Sequence, residues 1–237
     1  MPAPDHASSR AARYGVLAAG SSIEHEIEIK RSRFICYLER VESEPEAREV
    51  VSLVRQEHRL ARHHCSAFVL GPDRDAQRSN DDGEPSGTAG VPMLEALTLR
   101  ERLDERGEAL VDLSDVVAVV VRYFGGVLLG AGGLVRAYSD AVSRALDEAE
   151  LVTRARLRVL ELDAPHAAAG RWENEIRAAG YETLPSSYEA DSVRLALAIP
   201  DAADDRRRAD AYAAALTQGA VVLRDAGVRW VDLESPR

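Results

Sequence analysis

Lysine is almost missing from this chain: of its 30 basic residues only Lys30 is a lysine, and the rest are arginines. Two readings of that scarcity stand side by side. It follows the alanine- and arginine-rich composition of the whole chain, or Lys30 marks a place where a compact ammonium serves and a planar guanidinium does not. Cysteine is nearly as scarce. Cys36 and Cys65 are too few for a disulfide framework, which points to a reducing, cytoplasmic setting. No stretch approaches the roughly 20 apolar residues that span a bilayer, so no membrane partner is expected. The opening Met-Pro-Ala-Pro-Asp-His carries neither the basic start nor the apolar core of a signal peptide. A net charge of −10 argues against a general polyanion-coating protein, and no specific double-stranded DNA partner is expected. A local basic patch is still compatible with that balance.

What is present is 46% hydrophobic residues over 237 positions, ample for two cores. Residues 1–20 are rich in Ala, Ser and Pro and read as a flexible leader. Ile23 to Ile29 alternates as a half-buried strand, Phe34 to Leu38 is a second strand, and Ser43 can cap a helix running to His58. A short strand at Ala67 to Leu70, a long polar loop from Gly71 to Gly90 and helical spacing from Val91 to Leu103 follow. Val116 to Val121 is an unbroken apolar run, the pattern of a strand buried on both faces. Beyond Leu151 the pattern changes to β-α-β-β-α-β, the ferredoxin-like split unit. That half holds only −2 of the net charge, with 12 arginines against 14 carboxylates. The expected fold is α+β in two domains, at 21–152 and 153–237.

The residues that could carry chemistry lie mainly in the first of these. Arg122, Tyr123 and Phe124 lead from the apolar strand into a turn with five glycines in nine residues: Gly125, Gly126, Gly130, Gly132 and Gly133. Strand, glycine turn and helix start together favour an anion, because the N–H groups of a helix end lack partners. The sharp templates fail, however. Ala131-Gly132 stand where a P-loop needs Lys-Ser/Thr, and Val135 stands at the third glycine of a dinucleotide fingerprint. Arg122 is the best single candidate for a phosphate or carboxylate ligand, with pairing to a structural carboxylate as an equal alternative.

A second motif, Asp81-Asp82-Gly83-Glu84-Pro85-Ser86-Gly87-Thr88-Ala89-Gly90, gathers three carboxylates and two hydroxyls. Oxygen ligands of this kind suit hard divalent ions, but calcium-loop spacing is absent, so a binding surface is expected ahead of a metal site. His63-His64-Cys65 could supply zinc ligands, except that neighbours on a strand point to opposite faces and no second Cys/His pair exists. Neither a metal nor a cofactor is expected. Lys30-Arg31-Ser32 forms the turn between the first two strands.

Together, Lys30-Arg31-Ser32-Arg33-Phe34, His63-His64-Cys65, the Asp81-to-Met93 loop and Val119-to-Tyr138 resemble the IMPACT family, with the bacterial YigZ-type members nearest. The resemblance covers nearly all of the chain after residue 20 and adds Lys30, Ser32 and Arg33 to the candidate binding surface. It implies an N-terminal domain like the second domain of a ribosomal small-subunit protein, a fold shared with some small-molecule kinases. It also implies a C-terminal domain like the last domain of elongation factor G. Eukaryotic relatives regulate translation by binding the activator of a stress-responsive initiation-factor kinase and carry an additional N-terminal partner-binding domain to which the resemblance does not extend, so the kinase pathway is not expected to carry over. What carries over is a cytoplasmic, translation-associated binding role with no biochemical activity assigned; the first reading is a non-enzymatic binding module whose partner is the ribosome, RNA or a translation-linked protein. The alternative is an enzyme acting on a small phosphorylated or peptide-like substrate, with Asp81, Asp82, His64 and Arg122 in one pocket. A third reading leaves the glycines and acids a purely structural task. On the first reading Arg122→Glu is expected to abolish partner association without unfolding the domain.

Overall fold

The computed structural model describes residues 10–103 and 107–233. The chain falls into two compact units, the first running through Thr153 and the second spanning Arg154–Leu233. In chain order the first contains β1 (Arg13–Leu17), β2 (Ser22–Ile29), β3 (Ser32–Arg40), α1 (Glu44–Glu57), β4 (His63–Leu70) and β5 (Ala76–Asn80). These are followed by α2 (Gly90–Thr98), the two-residue strands β6 (Arg102–Leu103) and β7 (Ala109–Leu110), β8 (Val116–Tyr123) and α3 (Ala131–Glu148).

An antiparallel sheet in the order β2-β3-β8-β4-β5 organises this unit. β8 lies at its centre, and Val116 through Val121 are fully buried because both faces are covered. On one face Phe34, Cys36, Cys65, Ala118 and Val120 pack with Met93 and Leu97 of α2 and Tyr138, Ala141 and Val142 of α3. On the other, Ile35, Tyr37, Phe68, Val117 and Val119 pack against Ala47 and Val54 of α1. Ser43 caps α1 by accepting the Glu46 N–H, as its position before the acidic first turn predicts.

Three expectations are corrected. Residues 13–17, assigned to the flexible leader, form β1 with Tyr14, Val16 and Leu17 buried; the Tyr14 hydroxyl donates to buried Asp115 at 2.5 Å. Residues 1–9 of that leader lie outside the described residues. The Gly71-to-Gly90 loop contains β5, a polar edge strand that only its ladder to β4 makes regular. The helix expected to reach Leu103 stops at Thr98, where Arg74 donates to the Thr98 carbonyl at 2.6 Å. Among the described residues no helix is long and apolar enough to cross a membrane.

The second unit continues β9 (Leu151–Ala164) into α4 (His166–Ala178), β10 (Glu182–Tyr188), β11 (Val193–Pro200), α5 (Ala203–Thr217) and β12 (Arg224–Leu233). Its strand order is β12-β9-β11-β10. Leu160, Leu162, Leu195 and Leu197 face Trp172 and Ile176 of α4 and Ala209 and Ala213 of α5. Near the sheet edge, Arg224 grips Asp163 through two bonds of 2.6 and 2.8 Å, and Arg194 adds a third at 3.3 Å. These arginines, Arg224 first, hold the Asp163 carboxyl down at about 2. A carboxyl depressed by folding stabilises the protein above its unfolded value, and that contribution fades as pH falls toward the folded value. Acid titration of wild type between pH 4 and 2 should therefore show a small loss of stability that Asp163→Asn no longer shows. Equal acid sensitivity in the variant would contradict this.

Candidate functional site

The turn joining β2 to β3 has only two residues, since Ile29 pairs directly with Ser32. Lys30 and Arg31 both adopt positive φ, 48° and 65°, the backbone of a type I′ hairpin turn normally filled by Asn-Gly. Against this turn lies the end of β8. A Cβ on Gly125 would fall 2.0 Å from the Arg31 carbonyl carbon, so only glycine admits the contact, and the Gly125 N–H donates to Ser32 Oγ at 3.2 Å. The glycine turn then uses positive φ at Gly126 (84°) and Gly130 (73°) to reach α3, whose start has no side-chain cap. Gly132 is open to solvent, and Gly133 packs on Leu129.

Beneath the turn sits a buried polar chain. Arg122 Nη1 donates to Glu84 Oε1 at 2.6 Å, the Tyr138 hydroxyl donates to the same oxygen at 2.9 Å, and Cys65 Sγ lies 3.4 Å from the Tyr138 hydroxyl. Arg122 is 7% exposed and the Glu84 side chain 4%. The guanidinium lies between the Phe34 and Phe124 rings, 5.4 and 5.6 Å from their centroids, and Nε has no acceptor among the described residues. Of the two readings of Arg122, the structural carboxylate pairing is the one observed; the side chain is not a surface phosphate ligand. Burial pushes the Tyr138 phenol up, with the neighbouring Cys65 and Glu84 side chains adding to it.

The acidic loop turns inward for a different reason at each carboxylate. Asp81 accepts the backbone N–H groups of Gly87, Ala89 and Gly90 at 2.8, 3.0 and 2.8 Å, which holds the loop over the start of α2. Burial raises this carboxyl, but the three N–H bonds together outweigh it and leave it below its ordinary value. Asp82, at φ 42°, accepts from Arg55 at 2.8 Å and from the His64 backbone N–H at 2.7 Å. Thr88 is buried and donates to the Pro85 carbonyl at 2.7 Å, and a Cβ on Gly90 would strike Asn80. His63 and His64 do face opposite ways. His63 Nδ1 meets the Asp82 carbonyl beside Gly83, and His64 Nε2 meets the His58 carbonyl. Among the described residues no three His, Cys, Asp or Glu side chains are grouped to hold a metal.

The four motifs thus converge in the first unit, where Arg122, Asp81 and Asp82 are held by partners from other segments. Exposed at its edge are Lys30 and Arg33, the latter paired with Glu26 at 2.6 Å and lying 5.4 Å from the Tyr123 ring centroid. Tyr123 is tied down through its hydroxyl, 2.9 Å from His58 Nδ1. Missed from sequence were Phe124, Val127 and Leu128, which stand 50%, 40% and 83% exposed on the glycine turn. Apolar residues placed between turn glycines were the available signal. Also missed were Phe34 and Tyr138 as buried partners of the polar chain.

Burial works against Cys65 as a nucleophile. Burial pushes its thiol up to about 12, and Cys36 is raised by burial as well. Neither thiol should react with Ellman's reagent at pH 8 in the native protein, while both should react in denaturant. Rapid native labelling of either would refute the assignment.

The geometry defines a mixed α/β protein that displays a glycine-rich turn on a buried Arg–Glu–Tyr support. A family profile described as the Impact N-terminal domain matches residues 30–146, a span containing all four motifs. An IMPACT family member from Haemophilus influenzae is 38% identical over 85% of this chain and 91% of its own length. IMPACT family member YigZ of Escherichia coli is 39% identical over 74% and 81%, and YvyE of Bacillus subtilis is 49% identical over 65% and 66%. A solved structure titled as that of a hypothetical protein is 34% identical, with a TM-score of 0.55 over 90% of this chain and 96% of its own. The chain belongs to the IMPACT family.

Proposed function

We propose that this protein is a non-enzymatic binding protein associated with translation, which docks on ribosomal particles through the glycine-rich turn of its first unit. The first unit is read as the ribosomal-protein-type domain, and the second as a ferredoxin-like domain resembling the last domain of elongation factor G. The strand order β12-β9-β11-β10 supports the latter. A cytoplasmic location goes with this reading. The observation that carries the proposal is the exposed tip itself. Phe124 and Leu128 stand in solvent beside the cationic Lys30-Arg31 turn, and Gly125 packs the two turns against each other. Apolar groups with cations at their side are what a phosphate-bearing, base-stacked surface recognises. The enzyme reading is weakened by a protonated Cys65 and by carboxylates committed to backbone N–H groups and Arg55.

The test is co-sedimentation with ribosomal particles across a salt series. Wild type should associate at low salt and release as salt rises. Lys30→Glu and Leu128→Asp, both at exposed positions, should each lose association while keeping the wild-type melting temperature. No association at low salt would overturn the proposal. Arg122→Glu is not a usable probe, because it would bury a second carboxylate against Glu84.

A further inference from the structure

The other face of the sheet carries a separate feature. α1 crosses β4 and β5 above a groove of about 420 Å³. Arg48, Ser52 and Arg55 project toward it from α1, spaced i, i+4 and i+7 so that they share one helix face. From the sheet comes Arg78 of β5, placed directly across from Phe68 of β4 and therefore on the same face. Phe68 belongs to the core beneath α1, so its ring and Val51 form an apolar wall under the three guanidinium groups.

The charges are not balanced out. Arg48 bonds Glu44 at 2.5 Å and Arg55 bonds Asp82 at 2.8 Å. Arg78 has no carboxylate within ion-pair distance among the described residues, although its charge, after that of Arg48, helps to hold the Glu44 carboxyl of the same groove low; its Nη1 donates to the Gln77 carbonyl at 2.8 Å. Three arginines against two carboxylates leave a local cationic excess on a chain of net charge −10. The groove is much larger than a bare phosphate and falls within the range of small-ligand sites, roughly 300–1,000 Å³. A ligand with an anionic end for the arginines and an apolar end for Val51 and the exposed edge of Phe68 fits this lining. The serine hydroxyls of Ser52 and Ser66 are placed to bond polar atoms between those ends.

We propose that this groove binds a nucleotide, its phosphate on Arg78 and Arg48 and its base along the Phe68 side. A free mononucleotide and the 5′-phosphorylated end of an RNA share this chemistry. The site stands on α1, β4 and β5 and does not depend on the glycine-turn proposal.

Calorimetric titration of the full chain with AMP, with adenosine, and with a short oligoadenylate bearing or lacking a 5′-phosphate tests this. Two variants accompany wild type. Arg78→Gln removes the cation without a carboxylate partner, and Ser52→Leu fills the groove while keeping every charge. Binding of AMP but not adenosine, weakened at least about tenfold by both variants, supports a free nucleotide as ligand; tenfold is the cost of losing one charge-assisted hydrogen bond. Binding of the 5′-phosphorylated oligonucleotide alone, with the same losses, supports an RNA end. No binding of either at millimolar concentration, or binding that both variants leave unchanged, overturns the proposal.

Discussion

Gly125→Ala should destabilise the first unit by about 3 kcal/mol or more, with urea unfolding shifted to a lower midpoint at unchanged slope. A glycine-to-alanine change ordinarily stabilises by about 0.4–1 kcal/mol, because it restricts the unfolded chain. Here packing overrides that gain. The new methyl would sit 2.0 Å from both the carbonyl carbon and the oxygen of Arg31 and 2.5 Å from the Ser32 nitrogen. All three are backbone atoms, so no rotamer change relieves the clash. Moving them would break a hairpin whose two turn residues already hold positive φ, together with the pairing of Arg33 with Tyr123 and Phe34 with Arg122. Gly132→Ala provides the contrast. It sits in the first turn of α3, where an added methyl would meet nothing within 4 Å and φ is not positive, and should be neutral or mildly stabilising. A Gly125→Ala protein within about 0.5 kcal/mol of wild type would show that the two turns are not packed as described.

Removing one member of the buried pair is the second large effect. Arg122→Met leaves the Glu84 carboxylate buried with only the Tyr138 hydroxyl donating to it, a loss of about 3–5 kcal/mol. Glu84→Leu leaves the guanidinium between two aromatic rings with its anion gone, and should cost a comparable amount. The double variant Arg122→Met/Glu84→Leu should be more stable than either single one, because no uncompensated charge remains inside. Simple addition of the two single losses in equilibrium unfolding would mean that the pair is not coupled. The glycine turn follows directly on Arg122, so on the proposed function any loss of association in an Arg122 variant would report damage to the support rather than removal of a contact.

Much of the scaffold was legible in the residues themselves. Val116 to Val121, six apolar residues in a row, could be satisfied only by a strand covered on both faces, and β8 is that strand. Ser43 before two acidic residues marked the start of α1, and the failed P-loop and dinucleotide spacings kept Gly125 to Gly133 open as a general turn. The polar strand β5 was not legible, since Ala-Gln-Arg-Ser-Asn carries no apolar alternation and depends on its neighbour's hydrogen bonds. Nor was β1, whose Tyr14 is buried by a partner 101 positions away.

Sequence alone determined most of the periodic elements and the family, because hydrophobic period, capping residues and motif order are local properties of the chain. Only the tertiary structure decided what those motifs do to one another. It turned Arg122 inward onto Glu84, 38 positions earlier, bonded Gly125 to Ser32, 93 positions before it, and left Leu128 rather than Arg122 in solvent. Whether a charged side chain meets water or a buried partner depends on which distant segment the fold brings beside it. No spacing within a motif encodes that.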